Sequence, residues 1–514
     1  MKKLFFISSI FILLSGLIII SREKNTNKNI IDVGVQSNWK ASCDPQKEKG
    51  KDEFDAIVIG SGIGGLSCGA MLAKNGYKII VLEQLFHVGG MCGSYDWEGF
   101  NFTIGVEDVS GLWKHGGIQK LLDALGLDKN ELFVLNKRMF LLDGKTISID
   151  GTKKDFITQL AKEFPQEEKS LVAFMDEAEQ ALLESRTSKG SMPIYKTWTT
   201  VTFQQKLDAF FTDPQLKKLM CSLLGYVGTP PDKTPAHKAL GACLAYFIHG
   251  GYYVKGGARS LANALKNSIE KNGGKVLTKC TVDKILVKDN KVIGIQSGKS
   301  ILKSPIVVSN ANAKVTFTKL LAPGTLDQNF VKAIKELKMS SSVFMVHLGV
   351  DLDLSHLPPL IKKLDKKDSF HLVINSSADP KLAPKGKASI TIVGDGIYDE
   401  TPKAGTLEYI QHKEQRANEL IRKVEQFIPN LSKHIIKTSN GQLKDILTPQ
   451  SFERYVSAPQ GALYSFDQSK GSSRPYFKTP IEGLYLASSS TRFGGGIEAV
   501  AATGMTCAQD ICRP

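Results

Sequence analysis

The sequence predicts an α/β protein: a Rossmann-like dinucleotide-binding domain with an interleaved α+β substrate domain. Three observations predict it. Phe54 to Gly90 reads as strand, glycine turn, helix and strand, closed by an acid. Apolar strand text returns far downstream at Ile301 to Asn310, ILKSPIVVSN, after a long and mainly helical interval. The chain then ends on a strand, three glycines and a helix, within Gly483 to Ile511. A nucleotide-binding sheet assembled from three separated segments accounts for all three, and the length of 514 residues with 42% apolar composition leaves room for a second core.

The first element is Phe54 to Ile59, a short apolar run suited to a strand buried on both faces. Gly60, Ser61, Gly62, Ile63, Gly64 and Gly65 follow, with Gly60, Gly62 and Gly65 in G-x-G-x-x-G spacing. The first glycine permits the tight turn, the second lets backbone N–H groups approach a pyrophosphate, and the third lets helix and strand pack closely. Leu66 to Asn75 is the helix, with Leu66, Ala70 and Ala73 spaced to face the sheet. Its N-terminus offers orphan N–H groups and the positive end of the dipole to a diphosphate. Gly76 stops the helix, Tyr77 to Leu82 is the next strand, and Glu83 ends it about 20 residues past the glycines, where a ribose-binding acid belongs. Gln84 follows, and then Gly89, Gly90 and Met91.

IGSGIGGLSCGAMLAKNGYKIIVLEQ, with Glu83 spaced E-x5-G-G from Gly89-Gly90, resembles the amino terminus of the flavin-dependent phytoene desaturase, carotenoid isomerase and retinol saturase family. The likeness continues through FQQKLDAFFTDPQLKKL, GYVGTPP and GGYYVKGGARSLANAL. It implies a two-dinucleotide-fold flavoprotein of the glutathione-reductase-like class with bound FAD, which glycine spacing alone would not distinguish from NAD. It also implies that Val282 lies against the adenine. The glycines before the last helix, Gly495 and Gly496 with Ile497, would face the flavin's pyrimidine edge, and Ser489 the ribitol or pyrophosphate. In the family, G-F-x-F-D-x-G lies beside the flavin; here Gly99 to Gly105 reads GFNFTIG, with Thr103 where an aspartate is common. Ser488-Ser489 replaces the family's frequent Gly-Asp or Gly-Ala.

The chain opens with Lys2 and Lys3 before the seventeen mostly apolar residues Leu4 to Ile20. Residues 1–21 therefore read as an uncleaved membrane anchor or an export signal, and the polar residues 22–52 as a tether. The formal charge of +15 comes from scattered lysines, without the basic-aromatic interleaving of a nucleic-acid surface; solvated faces or attraction to anionic lipid explain it. The eight cysteines form no C-x-x-C and no zinc spacing. Cys92 is either a thiol close to the flavin or a small core residue.

Residues 53–110 are the first nucleotide-binding segment. Glu107, Asp108 and His115 follow the aromatic stretch and are either proton-transfer groups or ordinary loop residues. Residues 111–250 are expected to be mainly helical and to face substrate or membrane, with a helix pair broken at Asp213-Pro214. Within them, Ala236 to His249 is too short to span a bilayer; it lines an apolar cavity, rests on a membrane or packs in a core. Residues 251–324 return to the nucleotide domain, with strands at Lys275 to Leu277, Thr281 to Lys288, Lys291 to Gln296 and Ile301 to Asn310, and a helix over Ala311 to Leu321. Residues 325–450 form the substrate lobe, with strands Ser342 to Val350 and Ser389 to Val393, a helix over Gly405 to Phe427, and His347 as a core histidine. Residues 451–514 close the nucleotide domain.

By resemblance, the activity is FAD-dependent desaturation, saturation or isomerisation of C–C double bonds in a long hydrophobic isoprenoid, carotenoid or retinoid-like, through flavin N5. NAD(P)H or a quinone would be the transient electron partner. A flavin amine oxidase shares the nucleotide motifs, and a non-catalytic flavin-binding interaction protein would keep them too; both readings stay open at this point.

Overall fold

The structure is a computed structural model that describes residues 53–188, 190–365, 368–439 and 441–513. The expected N-terminal anchor and tether lie outside the described residues. Among those residues no helix is long and apolar enough to cross a membrane.

Five parallel strands lie side by side in the order Leu484–Leu486, Val307–Ser309, Ala56–Ile59, Ile79–Leu82 and Lys275–Leu277. The register pairs Ile57 with Ile80 on one side and with Val307 on the other. Alternation along each strand divides two cores. Ala56, Val58, Ile79, Val81 and Val308 face the helices Ile63–Lys74, Arg259–Lys271 and Ile497–Ile511. Ile57, Ile59, Ile80 and Leu82 face the antiparallel three-stranded sheet of residues 284–303. Leu66, Ala70 and Ala73 pack in the first core, as their spacing predicts. The helix begins at Ile63, three residues before the expected start, because Gly62 serves as its N-cap.

A second sheet carries seven strands in the order Lys444–Leu447, Ser342–Val350, Ala388–Gly396, Phe370–Ile374, Leu360–Lys363, Arg138–Leu142 and Lys145–Ile149. One face, with Phe344, Val346, Ile361, Leu372 and Ile392, packs against Ala417, Leu420, Ile421 and Val424 of the long helix Leu407–Glu425. The period of two sends Val343, Met345, Lys362 and His371 to the opposite face, which floors a cavity. A further core gathers Phe156, Phe174, Trp198, Phe203 and Phe247 from the helical interval.

Two expectations need correction and one is extended. The interval 111–250 is mainly helical as expected, and it also contributes Arg138–Leu142 and Lys145–Ile149, a hairpin in the large sheet. Asp143 and Gly144 turn it with φ of 48° and 81°, as an Asp-Gly hairpin requires. Ile301 to Asn310 is two strands, Ser300–Lys303 in the antiparallel sheet and Val307–Ser309 in the parallel one. Pro305 has no N–H to continue a ladder, and the Ser304 hydroxyl bonds the carbonyls of Asp55 and Ile306 instead. The strand expected over Thr281 to Lys288 starts only at Lys284. Elsewhere the expected breaks hold: the helices Phe203–Phe210 and Pro214–Met220 meet at Asp213, whose carboxylate caps the second.

Candidate active site

A cavity of about 950 Å³ runs from the first glycine turn to the floor of the seven-stranded sheet. Gly60, Gly62, Ile63, Gly64, Glu83, Gln84, Gly89, Gly90, Met91, Val282, Ser489, Gly495, Gly496 and Ile497 all line it. Ser61 and Gly65, predicted with them, are not part of the lining and act from behind it. The Ser61 N–H and hydroxyl donate to Glu83 Oε2 at 2.8 and 2.7 Å.

The glycine turn is built for close approach. Gly60 holds φ of 89°, a left-handed conformation that glycine adopts without strain. A Cβ on Gly64 would lie 2.1 Å from the Ala487 carbonyl oxygen, so this residue lets the first helix contact the last segment of the chain. Asn310, at the end of the Val307–Ser309 strand, donates from Nδ2 to that same carbonyl at 2.5 Å and lines the cavity. The helices Ile63–Lys74 and Ile497–Ile511 begin at Gly62 and Gly496, and neither has a side-chain cap. Two uncapped helix N-termini therefore open onto one cavity and direct orphan N–H groups and positive dipole ends into it.

Glu83 is 5% exposed. Burial raises its pKa above the ordinary carboxylate value, against the pull of hydrogen bonds from Leu85 N–H and from Ser61. Its backbone is held by Leu277 and Cys280, which ties the end of the second strand to the nucleotide domain's second segment. Val282 lines the cavity from the link after Cys280. The glycine cradle, the two bare helix ends and the buried acid fit a dinucleotide. Glu83, Gln84 and Val282 would hold the adenosine half of FAD, Gly62, Ile63 and Gly64 the diphosphate, and Met91, Gly495, Gly496 and Ile497 the flavin.

The groups singled out after the aromatic stretch separate by environment. His115 does not line the cavity and packs edge-on to Trp113 at 5.5 Å. Thr103 is also outside the lining. Its hydroxyl contacts the Tyr253 hydroxyl at 3.1 Å, in a buried chain that continues through Asn375 and Thr391 to His347 Nδ1. Burial pushes the His347 imidazole down to about 3, so it is a neutral core histidine as expected. Cys92 is buried, donates to the Ala258 carbonyl and is pushed up to about 12 by desolvation; it remains a thiol rather than a redox-active thiolate.

Glu107 and Asp108 do face the cavity, in a cluster the sequence conceals. Asp108 accepts from Arg138 NH2 at 2.5 Å and from Asn136 Nδ2 at 3.0 Å. Glu107 Oε1 lies 3.3 Å from His371 Nε2. Lys362, the register partner of His371 on the neighbouring strand, donates to the Ser222 carbonyl at 3.2 Å and stands over the Tyr226 ring. Burial drives Glu107 up to about 7, although the Lys362 charge opposes it. Arg138, Lys362, His371 and Tyr464 were not foreseen. The only signal for Lys362 and His371 is a polar residue inside each apolar strand, a pattern that a solvent-facing strand shares.

The flavin containing amine oxidoreductase family matches residues 63–512 of the chain. Prolycopene isomerase 2 of an Oncidium hybrid cultivar is 28% identical over 92% of this chain and 86% of its own. All-trans-retinol 13,14-reductase of Danio rerio is 24% identical over 85% and 82%. The 4,4'-diaponeurosporene oxygenase of Staphylococcus aureus is 25% identical over 88% and 97%. Among solved structures, an oxidoreductase from Methanosarcina mazei superposes with a TM-score of 0.63 at 19% identity, over 88% of this chain and 99% of its own. Cyclohexylamine oxidase from Brevibacterium oxydans does so with 0.56 at 14% identity, over 89% and 98%. With its cradle for a dinucleotide and a family match over most of its length, the chain belongs to the flavin-containing amine oxidoreductases and is an FAD-dependent oxidoreductase.

Proposed function

We propose that the substrate is a long apolar isoprenoid polyene, carotenoid or retinoid in type, and that the enzyme alters its C–C double bonds by desaturation, saturation or isomerisation. The observation that carries this reading is the continuity of one cavity. It joins the bare helix end at Gly495 to Ile497 with the apolar floor of Val343, Met345 and Val393 and with Leu240 and Ala242 opposite. The relatives named for prolycopene, retinol and diaponeurosporene agree with it.

Bound FAD supplies two-electron chemistry at N5, with NAD(P)H or a quinone as the transient electron partner. The protein's residues do the rest. The apolar floor orients the polyene and excludes water. The dipole of Ile497–Ile511 favours negative charge at its N-terminus, which raises the electron affinity of whatever ring system rests there. Leu240–Leu244 forms a π turn inside the Ala236–Ile248 helix, and this widened turn presents Leu240, Gly241 and Ala242 to the cavity. Lys362 and Lys238 in the same lining would repel an ammonium group, which argues against an amine substrate. The apolar N-terminal residues of the sequence would hold the enzyme at the membrane from which such a substrate is drawn.

Incubation of the full-length protein with NAD(P)H and a panel of carotenoids, retinoids and amines, followed by chromatography of the products, tests the reading. Conversion of a polyene, with the amines untouched, is expected. Oxidation of an amine with every polyene unchanged would overturn it.

A further inference from the structure

We propose that Glu107 is the proton-transfer group of this site, giving a proton to, or taking one from, the polyene carbon across the double bond from flavin N5. The inference rests on the polyene reading above and deepens it. Glu107 keeps 19% of its side-chain surface and His371 15%, and both residues line the cavity. Asp108, the adjacent carboxylate, has no exposed side-chain surface and is committed to Arg138 and Asn136. Both acids border the cavity, but the Asp108 carboxylate is taken up by its ion pair whereas the Glu107 side chain keeps exposed surface.

Two neighbours link Glu107 to the turn before the last helix. Gly105, two residues earlier, lines the cavity against Met91, and Tyr464 packs over Gly495, where an added Cβ would lie 2.7 Å away. Gly105, Glu107, Tyr464 and Gly495 all line the same cavity.

The groups facing Glu107 decide its protonation. They are Lys362 and His371 from the sheet floor, Tyr226 from the helical side, Tyr464, and the Asp108–Arg138 pair. Burial and Lys362 hold His371 neutral, well below the usual imidazole range. Desolvation raises both tyrosines above their ordinary value. Glu107, pushed up to about 7, is the member of this set that changes charge near neutrality. Its match to ambient pH is what a general acid needs.

The step balances. In saturation the π bond breaks. One C–H bond forms with a hydride from FAD previously reduced by a nicotinamide or quinol, and the other forms with the Glu107 proton. The flavin is oxidised by two electrons, the carboxylate left behind is stabilised by Lys362, and solvent returns the proton. Desaturation is the reverse, with the Glu107 carboxylate as acceptor.

Infrared titration of the flavin-loaded protein and of Glu107→Gln, paired with turnover in D2O, provides the test. The wild type should show a protonated-carboxyl band that disappears with a midpoint near pH 7 and is absent from the variant. Saturation should place solvent deuterium on the carbon across the double bond from the one that receives the hydride, and should slow about tenfold per pH unit above the midpoint. Glu107→Gln should keep its flavin and lose roughly 10²- to 10⁴-fold in rate, with Glu107→Asp recovering part of it. A missing band, an unchanged rate in Glu107→Gln, or product free of solvent deuterium would overturn the proposal while leaving polyene turnover standing. A wild type that shows the band but converts no polyene would overturn the underlying reading, and the proposal with it.

Discussion

Glu83 illustrates how one side chain joins structure to cofactor. Its buried carboxylate is positioned by Ser61 and Leu85, and the residue lines the cavity. Hydrogen bonds to a charged group contribute about 1.5–3 kcal/mol each. Glu83→Ala should therefore weaken FAD binding by roughly 10- to 100-fold, measured by flavin fluorescence on dilution. The Arg138–Asp108 pair should behave differently, because both partners are buried. Arg138→Met leaves a buried carboxylate without its cation and should cost about 3–5 kcal/mol in urea unfolding. Adding Asp108→Asn should restore much of that loss. Glu107 gives a pH signature of known sign. Its folded-state value of about 7 lies above the ordinary glutamate value of 4.5, so the folded protein holds a proton that the unfolded chain releases. The stability this contributes is complete below about pH 4.5 and is lost as pH rises through 7. Glu107→Gln should be less sensitive than the wild type over that window in thermal melts. The sequence shows Glu107 and Asp108 as adjacent acids but not their division of roles. That division depends on Arg138, Lys362 and His371, which only the folded sheet brings to them.

At the scale of elements, the nucleotide-binding βαβ unit was legible because its glycines, helix spacing and terminal acid are local and each has its own physical reason. The Arg138–Ile149 hairpin was equally local, signalled by Asp143-Gly144 between alternating residues, yet it is embedded in helical text and joins strands more than 200 residues away. The break at Ser304-Pro305 was hidden because both halves of the segment are apolar. The last helix carries a further device. Glu498, in its first turn, accepts from Ser110 Oγ and Gly117 N–H at 2.9 Å each and pairs with Arg186 at 3.0 Å. One carboxylate thus pins the loop after Val109, the helix Gly117–Leu125 and the end of the long helix Glu168–Thr187 to the last helix, Ile497–Ile511. Glu498→Ala should lower the melting temperature by several degrees and loosen flavin retention, since an Arg and two donors lose their acceptor.

Over the whole molecule, the parallel sheet draws strands from the beginning, middle and end of the chain, so the cradle exists only when all of it has folded. The cofactor should stabilise the entire unit: at about 100 times its dissociation constant, FAD should add about 2.7 kcal/mol. The fold class and the first glycine-rich stretch could be read from sequence because a dinucleotide imposes glycine and acid spacing, whereas Val282, Ser489 and Gly495 to Ile497 came from the family resemblance; fourteen of the sixteen residues expected at the cofactor line the cavity. The substrate end imposes only apolarity, which any core shares; there the decisive residues emerged from sheet register.

The most direct measurement is the visible spectrum of the purified full-length protein, recorded anaerobically in its oxidised and reduced forms before and after addition of carotenoids and retinoids. The account predicts an oxidised-flavin spectrum, together with flavin bleaching, flavin reoxidation or a shifted polyene band for one class of polyene. Absence of a flavin band even after FAD is added, or a flavin that responds to amines while every polyene leaves it and itself unchanged, would contradict the account.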